Sequence, residues 1–207
     1  MDIETLLTFI LASILLSLTP GPDNIFVLVQ SAVHGARAGL LVTLGLCTGL
    51  VVHTALVAGG VAALFLVNDL AFTVLKLAGA SYLLYLAYGA WRAGGSALAE
   101  QQLPPQSAAQ LFRRGIFMNL TNPKVAIFFL AFLPQFANPD DGNIVRQIML
   151  LGFVFILVAS LVFSAVALLS GRLAALFKRS GTVQARLNRV AALVFAGLAL
   201  RLAASTR

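Results

Sequence analysis

Apolar residues fall in long blocks along this chain, separated by short clusters of charge, glycine and proline. The pattern has neither the two-residue alternation of a half-buried strand nor the narrow stripe of a surface helix. Residues 38–68 contain no Asp, Glu, Lys or Arg, and neither do residues 147–171. Each run exceeds the ~20 residues that an α-helix needs to cross ~30 Å of hydrocarbon. A membrane β-barrel would give short alternating segments instead. The blocks therefore predict an all-α polytopic membrane protein with six passages, at residues 5–33, 39–67, 70–91, 115–136, 147–171 and 187–204. The sixth carries Arg189 and Arg201, and it spans only if both snorkel toward the interfaces.

Composition agrees, with 60% hydrophobic and 10% charged residues among 207, against roughly 25% charged in a soluble domain. The net charge of +7 does not point to nucleic acid, because the basic residues gather at the ends of apolar blocks. With the amino terminus outside, Arg37, Arg92, Arg113, Arg114, Arg172, Lys178, Arg179, Arg186 and Arg189 all fall on the inner side. The outer segments hold Arg146, Arg201 and Arg207, with Lys76 near the outer end of the third passage. This asymmetry predicts that both termini face outward. The acidic start "MDIET" and the lack of a small-residue cleavage pattern predict that the first apolar segment is retained. Cys47 stands alone and the only histidines are His34 and His53, so no disulfide, metal site or cofactor is expected.

Two stretches interrupt the blocks: "TPGPDN" at residues 19–24 and "NLTNPK" at residues 119–124. After the first, only ten residues remain before His34, Gly35 and Arg37, about 15 Å of helix and too short to span. Two half-helices meeting at a break within the membrane account for the lengths better than a loop between full helices. Pro20, Gly21 and Pro22 form the first break, and Pro123 the second. The polar connection at residues 92–114 divides a single transmembrane domain into two halves: a first repeat at about 3–92, a loop at about 93–114 and a second repeat at about 115–204. Tandem units of three helices sit upside down relative to one another, which is the inverted-repeat plan of many secondary transporters. Pro22-Asp23 and Pro123-Lys124 are offset by the same 101 residues.

Such breaks are unfavourable in lipid. Proline removes an amide donor and clashes with the carbonyl four residues back, and each unpaired backbone group costs several kcal/mol there. Irregular backbone persists at that depth when buried in protein or lining a wet cavity. Such a cavity offers amides and a positive helix end to a carboxylate, and free carbonyls to an ammonium. A zwitterion suits both.

Asp23 and Lys124 are ionisable residues within spans, which face the interior, pair, or mark a pathway. One reading makes Asp23 a proton or ammonium site and Lys124 its counter-ion or a carboxylate ligand; in the other, Asp23 caps the following half-helix and Lys124 snorkels. Asn119 and Asn122 share a helical face and serve either a polar ligand or the backbone freed by Pro123. Gln30, two turns beyond Asp23, lines the same cavity or bonds between helices. His53 relays protons or is merely hydrogen-bonded. Gly45 and Gly49, a GxxxG pair, are expected to serve close helix packing, and Tyr88 and Trp91 an interfacial belt.

The segments "TPGPDNIFVLVQS", "GARAGLLVTLGLCTGLVVH" and "FRRGIFMNLTNPKVAIFFLAFLPQF" together resemble the LysE/RhtB family of bacterial amino-acid exporters, over nearly the whole chain. The resemblance implies an inner-membrane carrier that expels amino acids or close derivatives, driven by the proton gradient. The family's motif residues correspond here to Pro20, Gly21, Pro22, Asp23, Asn24, Asn119, Asn122, Pro123 and Lys124. The expected partners are a small, neutral amino acid, protons and the lipid bilayer, with no nucleic acid; the oligomeric state is open, a homo-oligomer included. A passive channel or scramblase is the alternative. An intramembrane enzyme is a weaker one, because Asp23 is the one convincing intramembrane acid and Cys47 has no partner thiol.

Overall fold

A computed structural model describes residues 2–19, 21–67, 69–92, 104–171 and 181–204. The first apolar block is two helices. α1 (Ile3–Leu18) is capped by Asp2, whose carboxylate accepts from the Thr5 amide at 2.7 Å. It ends where the amide and the hydroxyl of Thr19 both donate to the Leu15 carbonyl, at 3.0 and 2.7 Å. α2 (Pro22–His34) begins with proline at its first position, where the missing N–H is not needed. It closes at Gly35, whose φ of 84° lies in the left-handed region.

α3 (Ala36–Val67) and α4 (Asp69–Arg92) follow. α5 (Ala108–Thr121) starts seven residues before the expected fourth passage, because Ser107 and Gln110 form a reciprocal capping box. Then come α6 (Pro123–Ile127), a π-helical turn (Phe128–Phe132) and a 3₁₀ turn (Leu133–Phe136). α7 (Ile144–Leu168) is capped by Asn143, and α8 (Gly181–Ala204) completes the chain as described. α1 and α2 meet at 58°, and the helices flanking Asn122 at 52°.

Among the described residues α3, α7 and α8 are each long and apolar enough to cross a membrane alone, and the two bent pairs raise the number to five. α4 is helical over its expected length. Three to five crossings are thus accounted for, against the six expected.

Burial is inverted relative to a soluble protein. Leu161 is 72% exposed and Leu200 67%, whereas Asp23 is 2% and Lys124 8% exposed. An apolar exterior, with the few ionisable residues of the spans held inside a largely apolar core, is what solvation by lipid selects. Inside, glycines let helices approach closely. A Cβ on Gly45 of α3 would lie 3.0 Å from the Gly115 Cα of α5 and collide with the Phe112 carbonyl oxygen. One on Gly49 would meet the Asn119 side chain, at 2.6 Å from Oδ1. Gly152 of α7 leaves room for Thr54 of α3 in the same way. The glycine pair of α3 therefore has the packing role expected of it, and it sets α5 directly against α3 just before the second break.

Beyond that break, Phe128, Phe129, Phe132 and Phe136 join Phe9 of α1 and Phe155 of α7 in one cluster, with ring centroids 5.0 to 6.3 Å apart. All six are buried. Phe128, Phe129 and Phe132 of the π-helical turn are all buried on its inner side.

Gly45→Ala is expected to destabilise the solubilised protein by ~1–3 kcal/mol through overpacking. Gly59→Ala, on the same helix with no atom within 4 Å of its added methyl, is expected to be neutral or stabilising by up to ~1 kcal/mol. Thermal unfolding of the two variants in detergent checks the contrast, and equal melting temperatures would contradict the backbone contact.

Candidate functional site

The two breaks meet. In a continuous helix the Thr19 carbonyl would accept from the amide four residues on; here it accepts from Nζ of Lys124, 105 residues away, at 3.2 Å. Gly21 makes the approach feasible, since a Cβ there would lie 3.0 Å from the same nitrogen. Lys124 is thus buried and engaged, not snorkelling. Its own amide donates to Oδ1 of Asn122, which caps α6, at 3.0 Å.

Other side chains mend the remaining backbone. The Ser17 carbonyl, left over at the end of α1, accepts from Nδ2 of Asn24 at 2.6 Å, so the first turn of α2 straps the last turn of α1. Pro123 deprives the Asn119 carbonyl of its normal donor. That oxygen instead takes the Asn122 amide at 3.1 Å and Nε2 of His53 from α3 at 3.4 Å. A carbonyl can only accept, so the ring donates from Nε2. His53 also stacks near Phe129, at 5.6 Å between centroids.

Asp23 occupies the second position of α2, not its cap. The cap is Gly21, which offers no side chain. Asp23 lies within electrostatic reach of Lys124, Asn122, Asn119 and His53, and its Oδ1 has no hydrogen-bond partner. A carboxylate in the first turn also meets the positive end of the helix dipole. Six of the expected site residues are therefore brought to one place: Asp23, Asn24, His53, Asn119, Asn122 and Lys124, with Gly21, Pro22 and Pro123 shaping the backbone around them. Pro20 lies outside the described residues. Gln30 stands two turns along α2 on the same face as Asp23; it is fully buried, and neither amide atom finds a partner, so the expected interhelical bond is not made.

Several buried polar atoms near the breaks and along α2 are left unpaired. Ser17 Oγ, Asp23 Oδ1, Asn24 Oδ1, Asn119 Oδ1, Asn122 Nδ2 and both ends of Gln30 are buried without protein partners. Over 90% of buried polar groups are normally satisfied, so this concentration marks space for water or a polar solute. Ser17 was not among the residues singled out from sequence. The four-residue spacing of Ser13 and Ser17, both buried on one face of α1, was the signal that could have found it. No group of three His, Cys, Asp or Glu able to hold a metal occurs among the described residues. A cavity of about 240 Å³ opens at the far end of α2, lined by His34, Arg37 and Gln106 among others.

The family model described as LysE type translocator matches residues 14–206. The chain is 40% identical over 178 residues to the homoserine/homoserine lactone efflux protein of Salmonella typhimurium, covering 86% of each. It is 32% identical over 203 residues to an uncharacterised membrane protein of Vibrio cholerae, covering 98% of each. To the leucine efflux protein of Klebsiella pneumoniae it is 30% identical over 208 residues, covering 95% of this chain and 93% of that protein. No solved structure matches it. A family match over nearly all of the sequence, in a chain whose buried polar residues sit where two helices break, makes this protein a member of the LysE type translocator family, a transporter and not an enzyme.

Proposed function

We propose that the protein is a secondary transporter that exports a small, neutral amino acid or a close derivative across the bacterial inner membrane in exchange for protons. The observation that carries this reading is the hydrogen bond from Lys124 at the second break to the Thr19 carbonyl at the first. It joins the two interruptions into one polar chamber inside an apolar body. The printed functions of the relatives, homoserine and leucine efflux, favour an amino-acid substrate.

In this reading Lys124 and the first-turn amides of α2 receive the substrate carboxylate. Asp23 and the acceptor oxygens of Asn24 and Asn119 receive its ammonium, and Asp23 exchanges that cation for a proton. His53 holds the Asn119 carbonyl and does not relay protons. The chain comprises two inverted three-helix repeats, with both termini outside. Alternating access rocks one repeat against the other about the two breaks. The six-phenylalanine cluster closes the outer side, and the cavity lined by His34, Arg37 and Gln106 is the cytoplasmic entrance.

Efflux of labelled amino acids from loaded proteoliposomes under an imposed pH gradient tests this. Wild type is expected to export uphill and to stop when a protonophore is added; export indifferent to the protonophore would instead indicate a passive channel. Asp23→Asn is expected to lose acceleration by the gradient. Lys124→Ala, which also leaves the Thr19 carbonyl unpaired, is expected to export about tenfold more slowly or worse. His53→Gln, which retains a donor for the Asn119 carbonyl, is expected to keep gradient-driven export, whereas abolished coupling in that variant would make the histidine a proton carrier.

A further inference from the structure

We propose that the cavity at the far end of α2 is a loading site, which holds one small amino acid by its carboxylate and its ammonium before it enters the chamber at the breaks. This deepens the export reading above and rests on it. α2 leaves the first break and α5 arrives at the second, so their far ends lie on the same side of the breaks. His34, Arg37, Gln106 and Leu111 line the space of about 240 Å³ between them. The left-handed turn at Gly35 folds α3 back against α2, which brings Arg37, the second residue of α3, to the same cavity as His34.

The lining has the chemistry to hold a zwitterion. No hydrogen bond or ion pair engages the Arg37 guanidinium among the described residues, and it presents five donors to an anionic oxygen group. Ala38 and Ala108, in the first turns of α3 and α5, also line the cavity, so the positive ends of two helices add to the same charge. Nε2 of His34 and Oε1 of Gln106 are both buried without a partner. An amide oxygen accepts, as does the imidazole nitrogen when the ring proton sits on Nδ1, and an ammonium donates to both. Leu41 and Leu111 supply an apolar wall for a short side chain. The volume falls below the roughly 300–1,000 Å³ of a drug-sized pocket, which suits an amino acid better than a bulkier solute.

This site is separate from the chamber. Asp23 and His34 stand eleven residues apart on α2, about 16 Å of helix, further than one small amino acid reaches. Val27 and Leu28 lie between them in the closed core, so a solute in the cavity waits outside the chamber.

Export kinetics in proteoliposomes test this, with the internal concentration of the amino acid that wild type exports best as the variable. Arg37→Gln is expected to raise KM about five- to tenfold, a moderate effect because Arg37 is exposed, and to leave kcat within about twofold, as loss of ground-state binding requires. Arg113→Gln removes an equal charge on α5 outside the cavity and is expected to change neither. An unchanged KM in Arg37→Gln, or an equal rise in Arg113→Gln, overturns the proposal and leaves the export reading intact; no export of any amino acid by wild type overturns both. An ethanolamine phospholipid carries the same pair of charges. If one co-purifies with wild type and is lost from Arg37→Gln while KM stays unchanged, the cavity is a lipid site and the proposal fails. Should Arg37→Gln not insert in the membrane, Gln106→Leu decides, because it removes one acceptor and no charge: a KM raised about threefold or more is expected, and a wild-type KM overturns the assignment.

Discussion

A backbone that leaves its helix inside a membrane must find substitute hydrogen bonds, because no water is there to supply them. Everything distinctive about this protein follows from how two proline breaks meet that demand. Three carbonyls beside the breaks, at Ser17, Thr19 and Asn119, find donors outside the ordinary helical pattern. They are taken by Asn24, by Lys124, and by His53 together with the Asn122 amide. Two of these repairs cross between segments far apart in sequence. The breaks are therefore not local kinks but the point at which the two halves of the chain are tied together.

The repairs explain why the site is polar only where it is. Asn24 and Asn122 each use one end of the side-chain amide on the backbone and leave the other unspent, Oδ1 of Asn24 and Nδ2 of Asn122, with Oδ1 of Asp23 unpaired as well. The surroundings are built to keep this small volume isolated. Gly45, Gly49 and Gly115 draw α3 and α5 into backbone contact on one side, and six phenylalanines fill the other. The π turn that carries three of those rings follows directly on α6, the helix that bears Lys124.

Much of this was legible in the sequence, for identifiable reasons. Proline beside a charged residue within an uncharged block has few explanations, and both breaks, the burial of Asp23 and Lys124, and the packing role of Gly45 and Gly49 could be read from it. What could not be read was the pairing. Lys124 does lie within electrostatic reach of Asp23, but its hydrogen bond to the Thr19 carbonyl could not be foreseen, because a main-chain acceptor freed by a break is invisible in a list of side chains. His53 meets Asn119 across 66 residues, and only the close approach of α3 and α5 brings that about. The early start of α5 was available in the Ser107 and Gln110 spacing but was outweighed by the polar run around it.

The account stands or falls on the meeting of the two breaks. The direct measurement is cross-linking in native membranes of a Gly21→Cys, Lys124→Cys pair, in a Cys47→Ser background with a protease site inserted between residues 93 and 103. After treatment with a short bifunctional thiol reagent and cleavage, the two halves are expected to migrate as one species on a denaturing gel. Halves that separate, while a Phe26→Cys, Arg114→Cys control pair remains joined, would contradict it.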